Sequence, residues 1–169
     1  MPTTFAQKET MRALVATGLG KPLVLEERPI PQLKPGEVLV KMAASPINPS
    51  DLAALEEQYA VDWRFPFVPG LEGAGTVVDA RAGRMGTLVM GRKVSVFAGR
   101  QGLWAEYAPV PVDQAIPVGR RIGFEQAAMS LVNPLTAIAL VGIARQRGVT
   151  AVVNTAAAGA LGRMIRKRA

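Results

Sequence analysis

Single glycines and prolines at short intervals are the feature that most constrains how this chain folds. The 169 residues include 17 Gly and 13 Pro, and most of them stand alone between apolar segments. Such residues interrupt helices and favour short strands joined by turns. Apolar residues make up 49% of the chain and charged residues 20%, which indicates a globular protein with a packed core. The first two thirds of the chain are therefore predicted to be rich in β-strands.

Seven segments in this part have the composition of short strands. The clearest is Glu37–Ala44, in which valine or methionine at every second position marks a largely buried face. The full set is 12–17, 23–27, 37–44, 71–78, 92–97, 104–110 and 114–118. Strands this short and closely spaced predict a twisted, barrel-like β domain.

One helix is predicted inside this β-rich part, from Asn48 to about residue 58. Asn is a preferred N-cap residue, and Pro49 suits the first helical position because its missing N–H has no partner there. Asp51 follows at the third position, where a carboxylate favours a helix start. Tyr59, in the loop after this helix, either lines a pocket or lies on the surface.

The pattern changes near Gly123, where helices replace strands. A short helix is predicted over 124–131, and Asn133 is predicted to cap a longer helix that ends at about residue 147. The apolar segment Ala151–Asn154 is predicted to be a buried strand, and Leu161 to begin another helix. The order helix, strand, tight loop, helix is typical of the start of a parallel α/β unit. We therefore predict an α+β fold, in which the β-rich domain ends and this unit begins near residue 130.

The chain contains no Cys and no His. Disulfides and zinc sites of the usual Cys/His kind are therefore excluded, and only carboxylates remain as metal ligands. A His general base is excluded for the same reason. Nothing in this composition argues for secretion, since secreted domains of this size often depend on disulfides.

The net charge of +7 gives little support to nucleic-acid binding. Four of the basic residues lie within the last seven positions, and no basic stripe is interleaved with aromatic residues. A stretch without charge, Ala127–Ala144, is about long enough to span a bilayer. It contains Asn133-Pro134 as a helix start, so we predict a buried helix and no membrane span.

A loop of small residues follows the last predicted strand. In the segment AVVNTAAAGALG (151–162), Ala156, Gly159 and Gly162 hold the small positions of an A-x-x-G-x-x-G variant of the dinucleotide fingerprint. Backbone N–H groups at the next helix start can face a pyrophosphate, helped by the helix dipole. A strand–helix turn without a ligand has the same pattern. The residue that would read the ribose is expected past Ala169.

Two segments carry a resemblance to a known family. The segment VPGLEGAGTV contains Gly70-Leu71-Glu72, and the predicted strand-to-helix junction contains Asn48. They resemble medium-chain dehydrogenases/reductases, which carry Gly-His-Glu at the first place and Cys at the second, where His and Cys bind catalytic zinc. Because Leu71 and Asn48 replace these ligands and the Cys-rich structural zinc loop is absent, the chain resembles the zinc-independent, quinone oxidoreductase-like branch.

Other segments resemble the same family in the same order. They are KPGEVLVKMAA, GLWAEYAPVPVDQAIPV and NPLTA, and the likeness runs from about Met11 to Ile165. The resemblance implies an alcohol dehydrogenase GroES-like domain over 11–130, in the form of a twisted partial barrel. It implies that 131–169 is the start of an incomplete dinucleotide-binding Rossmann domain. The chain is shorter than the family, through truncation, a frameshift or because it is part of a longer protein.

The resemblance also implies a function. It implies hydride transfer from NADPH to a quinone, enone or aldehyde, with Asn48 and Thr136 as catalytic hydrogen-bonding residues and no metal. Residues expected to contact the cofactor are Asn133, Thr136, Ala156, Ala157, Gly159, Leu161 and Gly162. The expected partner is a small-molecule substrate, in the cytoplasm, without nucleic acid or membrane, and a homodimer is left open.

The two proposed catalytic residues also have a purely structural interpretation, in which Asn48 is only a helix cap and Thr136 is only a first-turn residue of its helix. Glu72, a charged residue in an apolar strand, is predicted to be a buried structural group in preference to a general base. The rival function is a truncated, non-catalytic GroES-like domain without turnover of its own.

Overall fold

The computed structural model describes residues 9–56 and 64–169. It divides the chain into two compact units, the first ending at Ala128 and the second running from Met129 to Ala169. The predicted end of the first helix near residue 58 and the predicted position of Tyr59 lie outside the described residues. The assignment of the second unit to a dinucleotide-binding domain stays a prediction.

The first unit contains the β-rich part. Its strands are β1 (Thr10–Val15), β2 (Val24–Pro29), β3 (Glu37–Ala44), β4 (Glu72–Ala80), β5 (Lys93–Phe97), β6 (Tyr107–Pro111) and β7 (Ala115–Pro117). Its helices are α1 (Pro49–Leu55), α2 (Gly83–Val89) and α3 (Phe124–Ala128), with a 3₁₀ turn at Val112–Gln114. Each of the seven predicted strand segments overlaps one of these strands, so the β-rich prediction is confirmed.

The strands form two antiparallel sheets. The larger has the order β6-β3-β4-β5-β7, and β1 pairs with β2 in a separate ladder. The pairing of β3 with β4 shifts register between Leu39 and Val40 and again between Met42 and Ala44. Such bulges increase the local twist of a sheet. Among the described strands none joins β6 to β7, so the expected partial barrel is twisted but open.

Valines from four strands make up most of the core of the first unit. Val38, Val40, Val77, Val94, Val96 and Val110 are each at most 1% exposed. Burying one such side chain stabilises the fold by about 1.5–3 kcal/mol. β-Branched residues also suit the pleated surface of a strand. The alternating pattern of the sequence thus supplies both the strands and the core that holds them together.

Helix α2 is an element that the sequence does not predict. Its sequence GRMGTLV contains two glycines, which lower helix propensity by about 1 kcal/mol each relative to alanine. Packing compensates for this, because Gly86 lies directly against β4. A Cβ added at Gly86 would stand 2.8 Å from the Cβ of Ala80. Helix α2 therefore depends on tertiary contacts more than on its own propensity.

The second unit contains α4 (Val132–Gln146) and α5 (Ala160–Arg168), joined by a connection that is partly turn and contains no strand. The prediction of a strand over Ala151–Asn154 is wrong. These residues are not in a ladder, and Val153 is 91% exposed. A strand needs a neighbour to pair its N–H and C=O groups, and the described part of the chain places none beside this segment.

Two predictions for α4 also need correction. Asn133 is not its N-cap, because the hydrogen bonds of the helix start earlier. The N-cap is Leu131, whose carbonyl accepts from the N–H of Leu135 at 3.0 Å. Nor is the helix buried as predicted, since only Ala137 and Val141 are buried in it. Its exposed large apolar residues are Leu135, Ile138, Leu140 and Ile143. Within the described ranges, no helix has both the length and the apolar content to cross a membrane.

Candidate functional site

Three hydrogen bonds join the segment that opens α1 to the segment that opens β4, and a fourth lies within the start of α1. Asn48 is the N-cap of α1, as predicted, and Asp51 is the third residue of the helix. The Asn48 side-chain amide donates through Nδ2 to Oε1 of Glu72 at 3.0 Å. The hydroxyl of Ser45 donates to the backbone carbonyl of Glu72 at 2.6 Å. Residues that are 24 to 27 positions apart in sequence thus meet at one point.

Asp51 makes the other two hydrogen bonds. Its Oδ2 accepts from the backbone N–H of Asn48 at 2.7 Å, and its Oδ1 accepts from the backbone N–H of Leu71 at 2.9 Å. The first of these satisfies an N–H at the helix start, and the second reaches the chain that leads into β4. One carboxylate therefore fixes both the entry to α1 and the position of Leu71.

The polar side chains of this junction are buried. Asp51 and Glu72 are fully buried, and Asn48 is 6% exposed. Burial raises the pKa of the Asp51 carboxyl above its ordinary value of 3.8. The two backbone hydrogen bonds oppose this rise, and the charge of Glu72 adds to it. The structure therefore holds two carboxyl groups close together away from water.

Gly70 allows the chain to approach this junction closely. Its φ is +98°, a conformation that residues with a side chain rarely adopt. A Cβ at this position would also lie 2.5 Å from Cδ1 of Trp104. The indole N–H of Trp104 in turn donates to the carbonyl of Pro46 at 3.3 Å. Trp104 thus packs between Gly70 and the segment before Asn48.

A cavity of about 500 Å³ in the first unit shares Ser45 with this junction. Its lining is mainly apolar and includes Met42, Ile47, Leu103 and Trp104. Concave, apolar sites with few polar groups are the usual form of small-molecule pockets. The cavity is a candidate for the apolar part of a ligand.

The junction has no ligand set for a metal ion. In the described ranges, no three Asp or Glu residues lie close enough together to hold one. Leu71, whose side chain has no ligating atom, sits between Gly70 and Glu72 at the place where the resemblance puts a zinc ligand. What the junction offers is hydrogen bonding by an amide and carboxylates.

In the second unit, the small-residue loop leads directly into α5. Gly159 is the N-cap of α5, and Ala156 and Ala157 are exposed in the turn before it. A Cβ on Gly162 would stand 2.2 Å from the carbonyl oxygen of Ala156, so only glycine lets the loop pack on the helix. Leu161 lies in the first turn of α5.

This loop fits the pyrophosphate of a dinucleotide. The first N–H groups of any helix lack intrahelical partners, and the loop before them carries only threonine, alanine and glycine side chains. The guanidinium of Arg163 donates to the carbonyl of Ala158 at 3.0 Å, which places a positive charge at this loop. Residues 149–169 contain no acidic residue, so no carboxylate opposes a phosphate. The site roles of Ala156, Ala157, Gly159, Leu161 and Gly162 nevertheless stay predictions.

Asn133 and Thr136 both lie near the start of α4 and are half-buried. The hydroxyl of Thr136 donates to the carbonyl of Val132 at 2.7 Å. In this rotamer Thr136 can accept a hydrogen bond from a ligand, and it can donate one only after its hydroxyl turns away from Val132. Their contacts with a cofactor stay predictions.

Three polar residues of the junction are not among the predicted site residues, and one of them, Glu72, is predicted only as a buried structural group. Asp51 is predicted from sequence only as a helix-start residue, and Ser45 is given no role. The capping pattern is the available signal for Asp51, because a carboxylate at the third helical position is placed to bond the cap N–H. No local signal identifies its bond to Leu71 or that of Ser45 to Glu72, because both partners are distant in sequence.

Comparison with known proteins identifies the family to which this chain is similar. Residues 34–120 match the family model of the alcohol dehydrogenase GroES-like domain. The mitochondrial enoyl-[acyl-carrier-protein] reductase of Caenorhabditis elegans is 35% identical over 130 residues, which are 75% of this chain and 37% of that protein.

Solved structures are similar over nearly all of the chain. A putative NADPH:quinone reductase from Mesorhizobium loti has a TM-score of 0.83 at 32% identity, over 95% of this chain and 52% of that one. The quinone oxidoreductase of Thermus thermophilus, solved also with NADPH, has a TM-score of 0.73 at 31% identity, over 92% and 48%. The chain spans about half the length of these proteins, and the resemblance carried by its motifs is confirmed.

Proposed function

The chain belongs to the family of the alcohol dehydrogenase GroES-like domain, and on this premise we propose that it is the N-terminal part of a zinc-independent, NADPH-dependent oxidoreductase. The proposed reaction is hydride transfer to a quinone, an enone or an aldehyde. The similarity to NADPH:quinone reductases at about one third identity supports the oxidoreductase class.

The junction of Asn48, Asp51 and Glu72 carries this proposal. It occupies the place of the catalytic zinc in the zinc-dependent branch, as the resemblance implies, yet its groups are satisfied by hydrogen bonds within the protein. A reductase built this way would orient its acceptor through hydrogen bonds and would need no metal to polarise it. Asn48 is the residue that we propose to act on the acceptor directly.

NADPH, when bound, supplies the hydride, and this chain's residues would hold and orient it. The backbone around Ala156, Ala157, Gly159, Leu161 and Gly162 would face the pyrophosphate. Asn133 and Thr136 would lie beside the nicotinamide. The preference for NADPH over NADH rests on the family, because the residue that reads the ribose is not identified in this chain. A homodimer and a cytoplasmic location belong to the same proposal.

The experiment extends this chain with the second half of the Mesorhizobium loti reductase and measures NADPH oxidation. A quinone, an enone and an aldehyde are compared, with and without a zinc chelator. We expect turnover of at least one acceptor and the same rate after chelation. Loss of activity on chelation, with recovery on addition of zinc, would refute the zinc-independent mechanism.

A second candidate is a GroES-like domain without turnover of its own. The observation that favours it is the exposed apolar surface of the second unit, where Ile138, Leu140 and Val153 are between 42% and 91% exposed. Such a surface is typical of an incomplete domain. Absence of turnover in the extended protein, with NADPH still bound, would favour this candidate.

A further inference from the structure

One hydrogen bond of the junction links two side chains, whereas the other three involve the backbone. It runs from Nδ2 of Asn48 to Oε1 of Glu72, at 3.0 Å, and both residues are buried. An isolated carboxylate is costly to bury, and an amide with an oxygen and a nitrogen of nearly equal size can be placed in two orientations. The pair therefore calls for a reason beyond packing.

The Glu72 side chain is only one of the groups that hold the two segments together. The backbone of Glu72 is fixed by Ser45, and Leu71 and the cap N–H of Asn48 are fixed by Asp51. Removing the Glu72 carboxyl would leave these three hydrogen bonds in place. What it would remove is the acceptor that faces the Asn48 amide.

The Glu72 carboxylate and the capping box of α1 select the same orientation of the amide. The Asn48 side chain accepts a hydrogen bond from the backbone N–H of Asp51, which leaves Nδ2 to face Glu72. Because carboxylate oxygens only accept hydrogen bonds, the flipped amide would bring two oxygens together and would lose both bonds. At a buried position that repulsion is weakly screened. The carboxylate also polarises the amide that it holds, because a hydrogen bond to an ionised acceptor is stronger than one to a neutral group.

We propose that Glu72 is the positioning residue for Asn48: together with the capping-box bond to the amide oxygen, its buried carboxylate keeps the Asn48 amide in a single orientation toward the bound hydride acceptor. This inference rests on the proposed function for the role of Asn48, but not for the hydrogen bond itself. Glu72 acts through Asn48 and does not contact the bound substrate.

The first arm of the test uses the 169-residue chain and NMR of the Asn48 side-chain amide. The two Nδ2 protons of the unaltered chain are expected to have well-separated shifts, with one of them protected from exchange. In Glu72→Leu their exchange should be at least about 10-fold faster, because the acceptor is gone. Glu106→Gln, which changes a half-buried carboxylate paired with Arg12, is the matched control and should leave both protons unchanged.

A second variant keeps the test decisive if Glu72→Leu fails to fold. Glu72→Gln has nearly the same volume and retains an acceptor oxygen but loses the charge. It should keep the exchange protection while moving the bonded proton toward the shift of a neutral amide pair. Unchanged Asn48 signals in Glu72→Gln, or unchanged exchange in folded Glu72→Leu, would overturn the proposal.

The second arm measures kinetics in the extended protein. Glu72→Leu should lower kcat about 10-fold or more with little change in KM, and Glu72→Gln should restore most of it. Combined with Asn48→Ala, Glu72→Leu should cause no further loss, because both changes remove the same oriented amide. Additive losses would contradict a positioning role. If the extended protein shows no turnover, the proposed function fails, and the NMR arm still decides whether Glu72 orients Asn48.

Discussion

Gly70 shows how a single residue sets the geometry of the junction. Its φ of +98° costs any other residue about 1–2 kcal/mol in strain, and its missing Cβ leaves room for Trp104. Because the steric conflict adds to the strain, Gly70→Ala should destabilise the first unit by about 2–5 kcal/mol. Urea unfolding followed by tryptophan fluorescence measures this loss.

The matched control for this change is Gly20→Ala. Gly20 also has a positive φ, of +66°, but an added Cβ would meet no atom within 4 Å. It should therefore cost only the strain, about 1–2 kcal/mol. Equal losses of stability in the two variants would show that contact with Trp104 adds nothing to the cost of a side chain at position 70.

Glu37 should make stability depend on pH in acid. Burial acts to raise its pKa, but hydrogen bonds from Arg100 and from the Lys34 backbone outweigh this, so the pKa of Glu37 lies below 4.5. A lowered pKa means that the stabilisation is present above about pH 4.5 and is lost as the pH falls through the folded-state value. Glu37→Gln should cost about 1 kcal/mol near neutral pH and converge with the unaltered chain as the pH falls below that value.

The pH dependence of stability that Asp51 causes has the opposite sign to that of Glu37. Because the pKa of Asp51 is raised, its contribution to the free energy of unfolding is greatest at low pH and declines as the pH rises through the folded-state pKa. A Glu37→Gln difference that persists undiminished in acid would contradict the ion pair with Arg100.

At the residue scale, the sequence predicts local geometry better than long-range contacts. Asn48 is predicted as a helix cap because the NPSD pattern is local. The buried state of Glu72 is predicted from the apolar residues around it, and the structure confirms it. Its bond to Asn48 is not predictable, because nothing in a single sequence records which distant residues the fold brings together.

At the scale of elements, strands are predictable where burial of one face produces a regular alternation of apolar residues in the sequence. The segment Glu37–Ala44 is predicted with its bounds because its alternation is regular. Helix α2 is not predicted because its two glycines lower the helix propensity of the segment, and its stability comes from packing against β4. The prediction of a strand at Ala151–Asn154 is wrong, because an apolar segment indicates that a residue prefers burial but cannot supply the partner strand.

The contact between the small-residue loop and α5 gives a prediction at this scale. Gly162→Ala places a Cβ 2.2 Å from the Ala156 carbonyl, so the loop must move away from the helix. We expect amide hydrogen exchange in α5 to rise by at least about 10-fold, which corresponds to about 1.4 kcal/mol of lost local stability. Exchange measured by NMR, residue by residue, tests this.

Helix α4 provides a matched glycine for this experiment. Gly142 lies inside the helix with no atom within 4 Å of an added Cβ. Gly142→Ala should slow exchange in α4, because alanine is favoured over glycine in a helix by about 1 kcal/mol. If Gly162→Ala also slows exchange, the close packing of loop and helix is wrong.

At the scale of the whole molecule, the two units differ in how much of their apolar surface they cover. The first unit encloses a core of valines between its strands. In the second, α4 and the segment at Val153 leave large apolar side chains exposed. The first unit thus has an enclosed apolar core, whereas the second unit leaves much of its apolar surface uncovered.

The most direct test of the account is calorimetric titration with NADPH followed by a quinone-reduction assay. It compares the 169-residue chain with the same chain extended by the second half of the Mesorhizobium loti reductase. We expect neither micromolar binding nor turnover by the short chain, because the loop is proposed to hold only the pyrophosphate and hydride transfer depends steeply on donor–acceptor placement. We expect both for the extended protein. Micromolar binding with turnover by the short chain, or neither by the extended one, would contradict it.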